Sequence, residues 1–169
     1  MRSARRLLVL VLSVLAIAMS TAVPASAAGD DYPWRLDQTW SADRYGFTKR
    51  QCTSFVAWRL AQRLRPISAS QGWGNAYHWD DKARQRGVTV TTRPKVGAVA
   101  QWNAGEASAM YLYGSTRPNA TMRAGSYGHV AFVRGVYADG SVSVAHYNMY
   151  GSRSYSVTRL KAPRYLYLS

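Results

Sequence analysis

The stretch that decides the fold is residues 50–65, which read RQCTSFVAWRLAQRLR. Apolar side chains recur at every fourth position in it from Val56 to Leu64, which is the spacing of one face of an α-helix. Pro66 follows directly and ends the pattern, because proline cannot continue a helix. The sequence therefore predicts a first helix over residues 51–65.

A second helix is predicted over residues 75–86. Ala76, Trp79 and Ala83 share one face there, and Gly87 follows at the position typical of a helix C-cap. Both predicted helices lie in the N-terminal part of the domain.

Short stretches of β-strand pattern follow the second helix. Their limits are residues 88–92, 96–102, 129–137, 141–148, 154–160 and 164–168. Two N-terminal helices packed on a five- to six-stranded antiparallel sheet make an α+β fold. Residues 103–127 have no clear periodicity and are expected to form a long loop, which is either functional or a mobile insertion.

The first 27 residues have the pattern of a secretory signal peptide. Residues 1–6 carry three arginines, residues 7–19 are apolar except for one serine, and residues 21–27 form a small-residue segment that ends in Ala-x-Ala. The apolar run is shorter than the roughly 20 residues that cross a bilayer, although an uncleaved anchor is the alternative. We expect residues 1–27 to be a signal peptide and residues 28–169 to form one secreted domain.

The chain is strongly basic, with 22 lysine and arginine residues against 8 aspartate and glutamate residues. Loss of the three arginines of the signal peptide leaves a net charge of +11. Such an excess predicts attraction to polyanions, which outside a cell are anionic wall polymers more readily than nucleic acid. The basic residues are scattered instead of forming a binding tail. We expect a monomer that binds peptidoglycan and anionic wall polymers, with no transmembrane segment after signal cleavage and no nucleic-acid partner.

Cys52 is the only cysteine of the chain, so no internal disulfide can form. It lies in the first turn of the predicted first helix, where unpaired N–H groups and the helix dipole favour thiolate over thiol. The same N–H groups can bind the oxyanion of a tetrahedral intermediate. Cys52 is therefore predicted to be a nucleophile, and a buried inert cysteine is the alternative.

A cysteine nucleophile needs a base, and the chain has three histidines. His78 lies in the second predicted helix and is interpreted as a partly exposed helix residue. His129 opens a predicted strand directly after Gly128, so nothing bulky crowds the approach to it, and His146 lies on the next strand. His129 and His146 are the candidate bases.

The register of these two strands predicts which residue lies next to His129. The Asp-Gly pair at residues 139–140 predicts a two-residue hairpin turn. That register pairs Ala131 with Asn148 and makes Asn148 the diagonal neighbour of His129, within reach of its imidazole. Asn148 would then fix the tautomer of His129 as the third member of a triad. A bulge or a longer turn would bring His146 closer instead.

Five motifs carry a resemblance to a known family. They are RQCTSFVAWRL at residues 50–60, WGNA at 73–76 with Trp79, PKVGAVA at 94–100, YGHVAFV at 127–133, and DGSV at 139–142 with Tyr147-Asn148. In this order they resemble the CHAP family of cysteine- and histidine-dependent amidohydrolases and peptidases, over nearly all of the mature chain. The resemblance implies a papain-like fold, hydrolysis of amide bonds in peptidoglycan, Cys52 as the nucleophile and His129 as the base.

Two features depart from the pattern of this family. A carboxylate, most often glutamate, usually stands two residues before the asparagine, where this chain has His146. The resemblance makes residue 146 the one that orients His129, whereas the predicted register favours Asn148. A neutral imidazole supplies no negative charge, so lower activity is expected. The segment 103–127 is also longer than the usual connection in the family.

No cofactor and no metal site are predicted. Some relatives bind calcium through clustered aspartates, but Asp37 and Asp43 are six residues apart with no further acidic ligand nearby. Cysteine and histidine are zinc ligands, yet no metal-type spacing relates Cys52 to the histidines.

The sequence thus predicts a secreted peptidoglycan hydrolase that cleaves an amide of the stem peptide, of the cross-bridge or of the junction with the glycan. Trp73, Trp102 and Tyr127 are candidates for lining its cleft, and Gln51 is a candidate for a second oxyanion contact. One alternative, motivated by His146, is a catalytically weak or inactive cationic wall-binding protein of the same fold. Another is a cationic surface-binding protein that acts by charge alone.

Overall fold

The computed structural model describes residues 29–168, and the predicted signal peptide lies outside them. No helix within these 140 or so residues is long and apolar enough to cross a bilayer. They form an α+β fold in which two short helices pack on one curled antiparallel sheet.

The helices are shorter than the sequence predicts. They are α1 Cys52–Ala61 and α2 Trp79–Gln85, with single 3-10 turns at Ala69–Gln71 and Ala76–His78. Helix α1 ends early because Leu64 takes a left-handed backbone conformation, with φ of 58°. The N–H groups of Leu64 and Arg65 then donate to the carbonyls of Ala61 and Leu60, as in a Schellman cap.

The sheet has eight strands, so the prediction of five to six was too low. They are β1 Val90–Thr91, β2 Val99–Trp102, β3 Ala107–Tyr111, β4 Ala120–Arg123, β5 His129–Val136, β6 Val142–Tyr147, β7 Tyr155–Leu160 and β8 Arg164–Leu166. Their order across the sheet is β1-β8-β2-β5-β6-β7-β3-β4, and all neighbours are antiparallel. Six of the strands lie within the stretches predicted from the sequence.

The two additional strands lie in residues 103–127, where a loop was expected. Strands β3 and β4 form a hairpin there, and β3 also pairs with β7. The prediction was wrong because alanine and serine occupy strand positions that usually hold β-branched or aromatic side chains. Ser108 also interrupts the alternation of apolar and polar residues, because it is a polar residue on the buried face of β3. Its hydroxyl accepts a hydrogen bond from Trp102 Nε1, at 2.7 Å.

The turn between β5 and β6 also differs from the prediction. Three residues form it instead of two: the N–H of Tyr137 donates to the carbonyl of Ser141, and Gly140 has φ of 76°. A register shift between Val133 and Gly135 adds a bulge. Val133 is therefore paired with Val144, whereas a register with Ala131 opposite Asn148 would place His146 there, so the predicted register was wrong.

The core lies on both faces of the sheet. One cluster packs α1, α2 and the aromatic N-terminal segment against one face, and the other fills the opposite face beside β3 and β4. Successive residues of β5 alternate between the clusters, with Val130 on the helix side and Ala131 on the other. The first cluster includes Phe55, Leu60, Trp79, Val130 and Tyr147, and the second includes Trp102, Met110, Met122, Val133 and Leu160.

The N-terminal segment is fastened to the start of α1 by a buried polar network. Tyr32, which is fully buried, shares a short hydrogen bond with the Ser54 hydroxyl, and Ser54 donates to the Asp43 carboxylate. The N–H of Arg50 donates to the Tyr32 hydroxyl at 3.2 Å. Because Arg50 has φ of 60°, this contact holds a strained backbone two residues before Cys52.

Gly128 sits where three segments meet, and no other residue fits there. Its φ is 70°, and a Cβ at this position would lie 2.5 Å from the carbonyl oxygen of Trp102 and 2.7 Å from the backbone nitrogen of Tyr77. The preceding carbonyl of Tyr127 accepts a hydrogen bond from that nitrogen at 3.2 Å. Gly128 therefore lets the chain run close to its neighbours just before His129.

We expect Gly128→Ala to lower the free energy of unfolding by about 2–4 kcal/mol, since the added methyl group combines left-handed strain with two backbone clashes. Urea denaturation followed by tryptophan fluorescence measures this. Gly105→Ala is the matched control, because Gly105 has φ of 72° and nothing within 4 Å of an added Cβ. It should lose about 1 kcal/mol from strain alone. Equal losses in the two variants would contradict the close approach.

Candidate active site

Cys52 is the first residue of α1. Gln51 before it is extended, with φ of −96° and ψ of 158°, and its carbonyl accepts the first helical hydrogen bond from the N–H of Phe55. The thiol packs against the helix-side core and receives hydrogen bonds from the backbone N–H groups of Thr53 and Val130. The sulfur thus lies beside the residue that follows His129 on β5.

Two opposing effects act on the pKa of Cys52. Burial raises the pKa of the Cys52 thiol to about 11, although the N–H groups of Val130 and Thr53 act in the opposite direction. The free-energy cost of removing a thiolate from water exceeds the stabilisation that the helix end and the backbone N–H groups, including that of Cys52 itself, provide. A thiol with this pKa is protonated at neutral pH, so burial opposes the thiolate that the helix start favours.

His129 is buried at the start of β5, with 4% of its surface exposed. Its Nε2 lies 2.9 Å from Nδ1 of His146, and its ring packs against Trp102 with centroids 5.8 Å apart. No described residue hydrogen bonds to Nδ1 of His129. Burial lowers the pKa of His129 to about 4, so the imidazole is neutral at physiological pH.

His146 is the residue that the structure brings to His129. It is fully buried on β6, and its ring meets that of His129 edge-on, at an interplanar angle of 80°. Its other nitrogen, Nε2, lies 3.0 Å from Ser156 Oγ and 3.1 Å from Thr158 Oγ1. Burial, and the neighbouring His129, hold the pKa of His146 well below its usual value.

Asn148 does not hydrogen bond to His129, which corrects the role that the predicted register gave it. Its backbone is left-handed, with φ of 57°, and its Nδ2 donates to Oε1 of Gln51 at 2.6 Å. Its Oδ1 accepts from the N–H of Arg153 at 2.8 Å. Asn148 therefore orients the side chain of Gln51, the residue directly before Cys52.

Three contacts of the site were missed by the sequence reasoning. They are the Asn148–Gln51 hydrogen bond and the bonds of Ser156 and Thr158 to His146. The alternating hydroxyls at 156 and 158 were visible in the sequence as one face of a predicted strand. Only the pairing of His146 with Ser156 across β6 and β7 gives them a partner.

A cleft of about 450 Å³ opens over Cys52. Its lining consists of Trp40, Gly46, Phe47, Thr48, Gln51, Cys52, Thr53, Ala69, Gly74, Asn75 and Tyr127. None of these side chains is charged, although the chain carries a formal charge of +14. The cleft therefore suits an uncharged stretch of substrate that offers hydrogen-bonding groups.

Of the three aromatic residues predicted to line the cleft, only Tyr127 does so, with 69% of its surface exposed. Trp73 and Trp102 are buried in the core instead. Trp40, which the sequence reasoning did not select, is the other exposed ring at the cleft. Arg153 stacks on Trp40, with its guanidinium carbon 4.1 Å from the ring centroid.

The two aspartates considered as calcium ligands accept hydrogen bonds from other groups of the protein. Asp37 accepts hydrogen bonds from Lys49 Nζ, at 2.7 Å, and from Thr39, and these bonds hold its pKa well below the usual range. Asp43 caps the turn that follows it, accepting from the N–H groups of Tyr45 and Phe47. Within residues 29–168 no three acidic, cysteine or histidine side chains converge as metal ligands would.

The curated relatives of this chain include staphylococcal secretory antigens. The staphylococcal secretory antigen SsaA of Staphylococcus aureus strain NCTC 8325 / PS 47 is 35% identical over 112 residues, which are 66% of this chain and 34% of that protein. The secretory antigen ssaA2 of the same strain is 32% identical over 113 residues, or 67% of this chain and 33% of the other. The chain thus spans about a third of the length of these curated relatives.

A solved structure is also similar. The crystal structure of an N-acetylmuramoyl-L-alanine amidase from Staphylococcus aureus aligns with a TM-score of 0.56 and 28% sequence identity. The alignment covers 80% of this chain and 36% of the amidase chain.

The CHAP domain model matches residues 40–148. This match spans well over half of the chain and takes in α1 with Cys52, β5 with His129, and β6 with His146. The chain therefore belongs to the CHAP domain family.

Proposed function

We propose that this protein is a secreted peptidoglycan hydrolase in which Cys52 attacks an amide carbonyl, His129 is the base, and His146 orients His129. The observation that carries the proposal is the buried hydrogen bond between His129 Nε2 and His146 Nδ1, beside a helix that begins at the only cysteine. The relatives named as secretory antigens and the amidase similarity support the substrate and the location.

The first step is a transfer of the thiol proton at the moment of attack. Because Cys52 and His129 are both neutral in the free protein, His129 acts as a general base and not as half of an ion pair. The proton moves from the Cys52 sulfur to Nδ1 of His129, and the sulfur bonds to the carbonyl carbon. The resulting imidazolium keeps its hydrogen bond to His146.

The oxyanion then needs donors at the start of α1. The backbone N–H groups of the first turn of α1 lie at this end of the helix, and Gln51, whose side-chain oxygen is held by Asn148, can add its side-chain amide. The imidazolium gives its proton to the leaving amine, which departs and leaves an acyl-enzyme. A water molecule deprotonated by His129 attacks the acyl carbon, and Cys52 leaves as a thiol to complete the cycle.

The bond cleaved is an amide of the stem peptide, of the cross-bridge or of the junction with the glycan. The similarity to a protein named as an N-acetylmuramoyl-L-alanine amidase favours the junction. Mass spectrometry of digested muropeptides distinguishes these bonds, because each cleavage leaves a different new amino terminus.

A second candidate function is a cationic wall-binding protein with weak catalysis. Two observations favour it: the burial that raises the pKa of Cys52, and an imidazole where relatives are expected to have a carboxylate. Without a negative charge beside His129, the imidazolium formed during attack has less stabilisation.

Cys52→Ala should abolish clearing of purified cell walls in a zymogram, while the wild-type protein clears them, because the nucleophile is removed. Circular dichroism and thermal melting of both proteins provide the folding control. Lysis that survives Cys52→Ala but disappears at high salt would favour a charge-only protein. Equal clearing by the two proteins at all salt concentrations would remove Cys52 from the mechanism.

Alkylation of Cys52 by iodoacetamide should increase tenfold per pH unit through neutral pH, towards a midpoint at about 11. The reason is that only the thiolate reacts, and burial keeps the thiol protonated. In urea the same cysteine should return to a midpoint of about 8.5. Rapid labelling of the folded protein, constant between pH 6 and 9, would instead mean a preformed ion pair.

Asn148→Asp should lower kcat roughly 10-fold with little change in KM, because the carboxylate keeps the contact to Arg153 but cannot donate to Gln51. Gln51→Ala should lower kcat by about 10- to 100-fold. Combined, the two changes should be no worse than Gln51→Ala alone.

Asn119→Asp is the matched control for this series, because Asn119 makes a similar pair of bonds to Leu112 at the distant β3–β4 turn. It should leave kcat unchanged. Additive losses for Asn148→Asp and Gln51→Ala would mean that Asn148 acts independently of Gln51.

A further inference from the structure

Two hydroxyl groups converge on the outer nitrogen of His146. Ser156 lies directly opposite His146 in the β6–β7 pairing, and Thr158 lies two residues further along the same face of β7. Their oxygens are 3.0 and 3.1 Å from Nε2 of His146. The His129–His146 pair therefore continues into a chain of hydrogen bonds that ends on these two hydroxyls.

The direction in which these hydrogen bonds donate decides whether His129 can act as a base. A neutral imidazole carries one proton, on Nδ1 or on Nε2. For Nδ1 of His129 to accept the proton of Cys52, the proton of His129 must already be on Nε2 and point at His146. His146 then accepts at Nδ1, and its own proton must be on Nε2. In the opposite direction, His129 would present an N–H on Nδ1 and could not accept.

The two hydroxyls favour the productive direction. An N–H group can share its hydrogen between two acceptor oxygens in a three-centre bond, and each hydroxyl has lone pairs for it. An unprotonated Nε2 has a single in-plane lone pair and accepts well from only one of the two hydroxyls. Nearly equal distances of 3.0 and 3.1 Å therefore fit Nε2–H better than a bare nitrogen.

We propose that Ser156 and Thr158 are positioning residues that keep the proton of His146 on Nε2, and thereby leave Nδ1 of His129 free to accept a proton. A carboxylate at residue 146 would impose this tautomer on its own, because it only accepts. Within the described residues, no carboxylate hydrogen bonds to either imidazole, and Ser156 and Thr158 are the only other side chains hydrogen-bonded to the pair. The hydroxyls thus supply through a second imidazole the directionality that a carboxylate supplies directly.

The effect on catalysis rests on the proposed function, but the tautomer can be measured without any substrate. Long-range proton–nitrogen NMR of histidine side chains assigns the protonated ring nitrogen. At pH 7 the wild-type protein should show Nε2–H for both His129 and His146. Nδ1–H on either ring would overturn the proposal, whether or not the protein cleaves cell walls.

The variant that removes both hydroxyls is Ser156→Ala with Thr158→Val, which keeps the volume of residue 158. We expect mixed tautomers by NMR and a kcat at least 10-fold lower with unchanged KM. The conservative exchange, Ser156→Thr with Thr158→Ser, should restore the wild-type tautomer and kcat. Ser143→Ala is the matched control, because Ser143 faces Arg159 across the same strand pair and should change neither property.

Repeating the double substitution in a protein that carries His146→Glu tests whether Ser156 and Thr158 act by positioning the proton or only by packing. A carboxylate at residue 146 has no second tautomer and can only accept from His129. Removing the two hydroxyls from this variant should therefore lower kcat less than 3-fold. A loss as large as in the wild-type background would assign the hydroxyls a packing role and overturn the proposal. Wild-type protein with Nε2–H on both rings but no activity on cell walls would contradict the proposed function and leave the tautomer assignment standing.

Discussion

The hydrogen bond between the imidazoles of His129 and His146 is the interaction on which the rest of the site depends. It lies in the interior, where an unpaired ring nitrogen would be costly, so both rings are held to one geometry. Trp102 closes one side of the pair, and its own Nε1 is satisfied by Ser108 from the β3–β4 hairpin. The hairpin therefore helps to hold Trp102 against His129, and of residues 103–127 only Tyr127 lines the cleft.

Burial has a second consequence, which is the charge state of the site. A helix start stabilises a thiolate, yet the loss of hydration outweighs it, and the same loss keeps both imidazoles neutral. In the reaction proposed above, charge therefore separates only when the thiol proton moves to His129.

The basic residues of the protein lie outside the cleft over Cys52. The cleft over Cys52 has an uncharged lining, whereas the large excess of arginine and lysine lies outside it. In the function proposed above, attraction to an anionic surface and binding of the cleaved bond would therefore depend on different residues. The N-terminal segment borders the cleft through Trp40, and the Tyr32–Ser54–Asp43 network fastens that segment to α1.

Local sequence patterns were enough to predict the α+β class, six of the eight strands of the described residues, and the placement of Cys52 at a helix start and of His129 at a strand start. These follow from local periodicity and from turn residues, which are properties of short stretches of chain. The β3–β4 hairpin was not predicted, because alanine and serine occupy several of its strand positions and Ser108 is buried only through its hydrogen bond with Trp102. Tertiary structure decided which residue meets His129, since one bulge and one extra turn residue shift β6 along β5 and exchange Asn148 for His146. It also raises the pKa of Cys52 against the effect of the helix start, because desolvation depends on all the groups that pack around the sulfur.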